Sequence, residues 1–133
     1  MIKNPEHGWC KFNLGEFEGR PGYLTDVPVD LLKGFIEYFT SGTSCVWFDE
    51  EGSEFTLILT PYNIYIVKDD EDAELLYSYP RLSPKDLANE LISDIESDLG
   101  GWTGWESWHD NDDEFRQHGI EIRGLIEQLK KLV

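Results

Sequence analysis

The chain has 133 residues, 40% of them hydrophobic and 14% aromatic, with 27 acidic against 11 basic residues and a formal net charge of −16. That length predicts one domain over residues 1–133, able to bury about two thirds of its unfolded surface, and seven Phe, six Tyr and five Trp exclude intrinsic disorder. So acidic a surface repels nucleic acid and anionic lipid, which argues against nucleic-acid binding and a peripheral membrane role.

Met1 to Phe12 contains no apolar stretch of signal-peptide length, and runs such as Leu57-Ile58-Leu59 fall far short of a membrane span, so a cytoplasmic protein is expected. From Trp9 to Phe17 the chain alternates, with Cys10, Phe12 and Leu14 on one face and Lys11 and Asn13 on the other. This predicts a first strand, ended by Gly19-Arg20-Pro21-Gly22. Pro28 opens a helix in which Leu31, Leu32, Phe35, Ile36 and Phe39 recur at helical spacing as far as Ser41-Gly42. Gly34 costs that helix about 1 kcal/mol and so marks close packing. Three β-rich runs follow, Cys45 to Asp49, Glu54 to Thr60 and Asn63 to Lys68, separated by turn chemistry at residues 50–53 and at Pro61-Tyr62. They predict an antiparallel meander, to which Leu75 to Tyr79 adds a further strand after the acidic turn at Asp69 to Asp72.

Ser83-Pro84-Lys85-Asp86 combines a hydroxyl cap, proline at the first position and an acid three residues after the cap, a strong helix start. Leu87, Leu91, Ile95 and Leu99 form the apolar row of this helix, and Gly100-Gly101 is expected to stop it. A last helix opens on Asp112, Asp113 and Glu114 and closes on Lys130 and Lys131, charges that complement its dipole. Phe115, Ile122, Leu125, Ile126, Leu129 and Leu132 predict its core stripe, with a break expected near Gly119. The expected fold is α+β, an antiparallel sheet of four to five strands with three helices packed against it. Cys10 and Cys45 both lie in apolar, strand-like surroundings, which favours two buried thiols, although a count of two still permits a disulfide.

Residues 49 to 114 hold 19 of the acidic residues against Lys68, Arg81 and Lys85, which accounts for the entire net charge; the rest of the chain is balanced. Concentrating one sign in one region costs self-repulsion and builds a field that attracts a basic partner, so these acids point to binding. Two groups stand out. Asp86, Glu90, Asp94 and Asp98 recur every four residues and stack in one row about 6 Å apart, weakening their helix by about 0.2–0.5 kcal/mol per pair; the alternative is an ordinary solvated helix face. The second, Asp69-Asp70-Glu71-Asp72-Ala73-Glu74, is expected on a loop, at the same end of the sheet as Asp49, Glu50, Glu51 and Glu54.

Trp102, Trp105 and Trp108 recur at three-residue spacing among glycines and acids, and an exposed Trp both anchors interfaces and stacks on Lys or Arg. Any of the three alternatively plugs the core, with Trp105 the preferred exposed candidate. The expected partner-binding set is therefore Asp69, Asp70, Asp72, Asp86, Glu90, Asp94, Asp98, Trp105, Glu106 and Asp110. Asp110, Asp112, Glu114 and Glu121 fall at calcium-loop positions, but Phe115 occupies the place that needs a turning Gly, and a metal site is not expected. His7, His109 and His118 show no zinc spacing with Cys10 or Cys45, and no phosphate loop or nucleophile motif is present, so no cofactor and no enzymatic activity are expected.

A small acidic α+β domain of this character, without a catalytic motif and rich in surface-capable Trp and Tyr, resembles the immunity proteins that bacteria make against toxins of contact-dependent inhibition and other polymorphic systems. The resemblance covers the character of the whole chain and implies a basic toxin domain as partner, commonly a nuclease whose substrate site is blocked. A nucleic-acid mimic that decoys a DNA-binding protein is the alternative, carried by the regular carboxylate row. A small enzyme or metal-binding regulator is the third reading.

Overall fold

Period-two alternation in two separate stretches of chain builds two antiparallel sheets, seen in a computed structural model that describes residues 1–105 and 112–133. The smaller sheet has β1 (Ile2–Glu6), β2 (Trp9–Leu14) and β3 (Phe17–Gly19) in that order, followed by α1 (Val27–Ser41). The larger is a meander of β4 (Ser44–Asp49), β5 (Glu54–Leu59), β6 (Ile64–Asp69) and β7 (Glu74–Ser78). Then come α2 (Pro84–Ser97), α3 (Leu99–Thr103) and α4 (Asp112–Lys130). The α+β class with antiparallel pairing stands as expected, but with the strands divided between two sheets and a fourth, short helix.

The first predicted strand is in fact a hairpin. The chain turns at Gly15-Glu16, where Gly15 has φ 54°, and returns as β3 with Leu14 opposite Phe17. Strand β1 was not anticipated; its only strongly buried position is Ile2, so it lacks the alternation that identifies a half-buried strand. Helix α1 carries proline in its first turn and closes on Gly42, whose N–H donates to the Tyr38 carbonyl at 2.7 Å. Ser83 caps α2 as expected, its hydroxyl accepting from the Asp86 N–H. The glycine pair does not end that helix. Asp98 does, and its carboxylate then accepts from the Gly101 N–H to begin α3, which contains both Gly100 and Gly101. Helix α4 runs through Gly119 without a break.

The two sheets face each other through aromatic rings. Phe12 lies 5.4 Å from Phe48 and 5.1 Å from Phe55 between centroids, and Phe17 lies 5.0 Å from Phe55 and 5.1 Å from Tyr77. Helix α1 covers the same inner face of the larger sheet; α4 packs on α1 and α3, and α2 on β1 and α1. Within α4, Ile122, Ile126 and Leu129 are buried, whereas Phe115 is 44% exposed and so leaves the expected core stripe. Cys10 is buried but Cys45 is exposed, and both are free thiols. The correction at Cys45 follows from strand phase, because inward Ser44, Val46 and Phe48 force Cys45 outward.

Gly34 lies at a close approach between α1 and the sheet, where an added Cβ would collide with Val46 Cγ2. Gly124, also helical, has nothing within 4 Å of the same position. Replacing Gly34 with Ala is expected to lower unfolding stability by about 1–2 kcal/mol, overpacking outweighing the gain in helix propensity. Gly124→Ala is expected to raise it by about 0.5–1 kcal/mol. Urea denaturation of the two variants checks both signs.

Candidate functional site

The two acidic groups have different fates in the fold. On α2, Asp94 is four-fifths buried and its Oδ2 accepts from the Met1 ammonium at 2.6 Å and from the Ile2 N–H at 3.2 Å. Glu90 Oε1 accepts from the same ammonium at 2.6 Å while remaining half exposed. Asp94 is therefore turned into the fold, whereas a partner-facing row and a solvated helix face both require it to point outward. Asp98 caps α3, and Asp86 sits in the first turn of α2, where the helix dipole favours it. All four carboxylates of this row have a place in the folding of the chain.

The second group lies at the end of the larger sheet, and strand register makes it a row. Asp49 pairs with Glu54, Glu54 with Asp69, and Asp69 with Glu74, so each of the four strands contributes one carboxylate to a single line. Directly opposed residues point to the same face with Cβ atoms about 4.5–5.5 Å apart, a spacing at which like charges destabilise the sheet. Among the described residues no cation lies within salt-bridge distance of any of the four. Lys68 stands next in the chain, yet it projects to the inner face and pairs there with Glu50.

Turns 50–53 and 70–73 share this end of the sheet, as expected from the number of connections between them. Asp70 holds its own turn, its Oδ1 accepting from the Asp72 and Ala73 N–H groups at 3.1 Å. Asp69 and Asp72 are exposed. Asp49, Glu54 and Glu74 complete the row but stand outside the expected binding set; the signal that places them is strand phase combined with the four-residue turns 50–53 and 70–73, which fixes the cross-strand partner of each.

Trp105 is corrected outright. It is 1% exposed and packs with its ring centroid 6.1 Å from that of Trp102, while its carbonyl accepts from the Gly8 N–H at 2.7 Å. It belongs to the hydrophobic core and is no surface anchor. Among the described residues the exposed tryptophan is Trp47 on β4, 45% accessible, with Nε1 donating to Glu54 Oε2 at 3.1 Å. Glu106, Asp110, Trp108 and His109 lie outside the described residues. His118 pins α4 to the rest of the helical layer, its Nδ1 donating to the Thr103 carbonyl at 2.6 Å and its Nε2 facing Asp26 Oδ2 at 2.8 Å.

A cleft of about 240 Å³ between α1 and β4 is lined by Thr25, Asp30, Lys33, Glu37, Cys45 and Trp47 among others. Burial, with the nearby Asp26 carboxylate second, raises the Asp30 carboxyl to about 6. Burial also pushes the Cys10 thiol up to about 12, so no thiolate forms there at neutral pH. No group of three or more potential metal ligands occurs among the described residues. No family model, no curated protein sequence and no solved structure matches this chain.

Asp94→Ala is expected to cost about 2–3 kcal/mol, because it strips one carboxylate from a buried ammonium. Glu90→Ala, at a half-exposed position, should cost less than about 1 kcal/mol. Urea unfolding of the pair checks the ranking. Burial holds the Asp30 carboxyl above the usual carboxylate range in the folded state, so the folded protein binds the extra proton and ionised Asp30 opposes folding as pH rises from about 4 through 6. Asp30→Asn should therefore stabilise by on the order of 1 kcal/mol at pH 7, after allowance for solvent screening, and by almost nothing at pH 4. Denaturation curves at both pH values test this.

Proposed function

We propose that this chain is a bacterial immunity protein that binds a cognate basic toxin domain, a nuclease, and neutralises it by occluding its substrate-binding site. The observation that carries the reading is the line of four carboxylates across β4–β7, which lacks cationic partners among the described residues and continues into the exposed acids of turn 70–73. Like charges opposed in a sheet weaken it. A basic partner turns that penalty into attraction. A nuclease must draw phosphate into a cleft lined by Lys and Arg, and the same field draws in an acidic protein of net charge −16.

The alternative, a nucleic-acid mimic, rests on evenly spaced free carboxylates along α2. Two of those four hold the Met1 ammonium, which favours the immunity reading. Inhibition needs no chemistry from this chain: the partner's cleft is filled and its substrate kept out.

Co-expression with the toxin domain encoded beside its gene is expected to restore growth of cells that the toxin alone arrests. The association rate constant with that domain should fall about tenfold or more between ~10 mM and ~150 mM salt. Neutralising the row together, as Asp49→Asn, Glu54→Gln, Asp69→Asn and Glu74→Gln, should slow association far more than it hastens dissociation. A salt-independent rate, with growth unrestored, overturns the reading.

A further inference from the structure

Among the described residues, only one face of the larger sheet is covered. Gly34 of α1 lies against Val46, and Phe12 and Phe17 lie against Phe48 and Phe55, all on the inner side. The outer side belongs to the other phase of the same strands. Antiparallel sheets covered on one face normally turn polar residues toward water. Here the register aligns Trp47 with Thr56, Thr56 with Val67 and Val67 with Leu76, a largely apolar line across all four strands. Its two ends are the most open, Trp47 at 45% and Leu76 at 66% exposure.

This line lies two residues along each strand from the carboxylate row, on the same face, since strand phase repeats every two residues. An exposed apolar patch rimmed by charge marks an interaction site. Charge selects the occupant. A second copy would add another −16 to the contact, and nucleic acid would oppose phosphate to carboxylate.

We propose that the outer face of the larger sheet is a protein-docking surface, seating apolar side chains of a basic partner on the line from Trp47 to Leu76 while the partner's Lys or Arg side chains meet the row from Asp49 to Glu74. The inference rests on the reading of the partner as a basic protein and assigns its place on the fold. The row steers and the apolar line holds, because exposed ion pairs add little to affinity whereas desolvated aromatic and aliphatic anchors add much.

The test does not require the toxin. An NMR titration of the whole chain uses a short peptide alternating Lys and Leu, with oligolysine as the charge-only control. Amide shifts are expected to concentrate on Trp47, Thr56, Val67 and Leu76, with the amphipathic peptide binding about tenfold more tightly than oligolysine. Leu76→Ala, at an exposed edge position, should weaken the peptide about tenfold without unfolding the chain, and Trp47→Ala should do the same. Shifts centred on α2, equal binding of both peptides, or unchanged affinity in both variants overturns the proposal. So does self-association of the free chain that Leu76→Ala abolishes, which would give the face to a second copy. Failure of growth rescue alongside peptide shifts on this face would reject the toxin and leave the docking surface standing.

Discussion

The packing of four phenylalanine rings fixes the rest of the molecule. Phe12 and Phe17 from the smaller sheet meet Phe48 and Phe55 from the larger, with Phe48 and Phe55 stacked at 4.7 Å. Beyond the area they bury, such ring pairs contribute about 0.5–1.5 kcal/mol each. Gly19 allows the approach, since a Cβ there would come within 2.6 Å of the Phe55 ring. Once Phe48 and Phe55 point inward, strand phase leaves Asp49 and Glu54 no choice but the opposite face. The ring cluster thus decides where the charge goes.

Two sets of four carboxylates show how the same residue type serves folding in one place and is left for solvent or a partner in another. On α2 the repulsion between Glu90 and Asp94 is offset by the Met1 ammonium, which ties β1 to the helix, and Asp98 is spent on a helix start. Across β4–β7 the opposed carboxylates receive no cation from the described residues, and the nearest base in the chain is turned inward to Glu50. Asp49 accepts from the Glu51 N–H and Glu54 from the Trp47 ring N–H, but a repulsion that no cation in the described residues neutralises is a source of binding energy for a cation-bearing partner.

The tryptophans divide in the same way. Trp102 and Trp105 stand among glycines and acids, yet both are buried, because α3 packs on α4 and β1 and the Gly8 N–H holds the Trp105 carbonyl just beyond it. Trp47 stands in an apolar run and is exposed, because its neighbours Val46 and Phe48 take the inward positions. Local hydrophobicity misleads at both places. What decides is the element's phase and the layer it packs against.

The meander, its turns, the α1 boundaries and the cap of α2 were legible in the sequence, because alternation, proline, glycine and a capping hydroxyl act over a few residues. The concentration of negative charge was also legible, being composition alone. Strand β1 was not, since a single buried residue, Ile2, carries no period; nor was the split into two sheets, which depends on rings 36 or more residues apart meeting in space. Which carboxylates are engaged and which are open was decided only by tertiary structure. Spacing along a helix made the α2 row look free, whereas an ammonium about 90 residues away in the chain claims it. The row across the larger sheet exists only because four strands share one register, and that register is set by long-range pairing together with the turn at each hairpin.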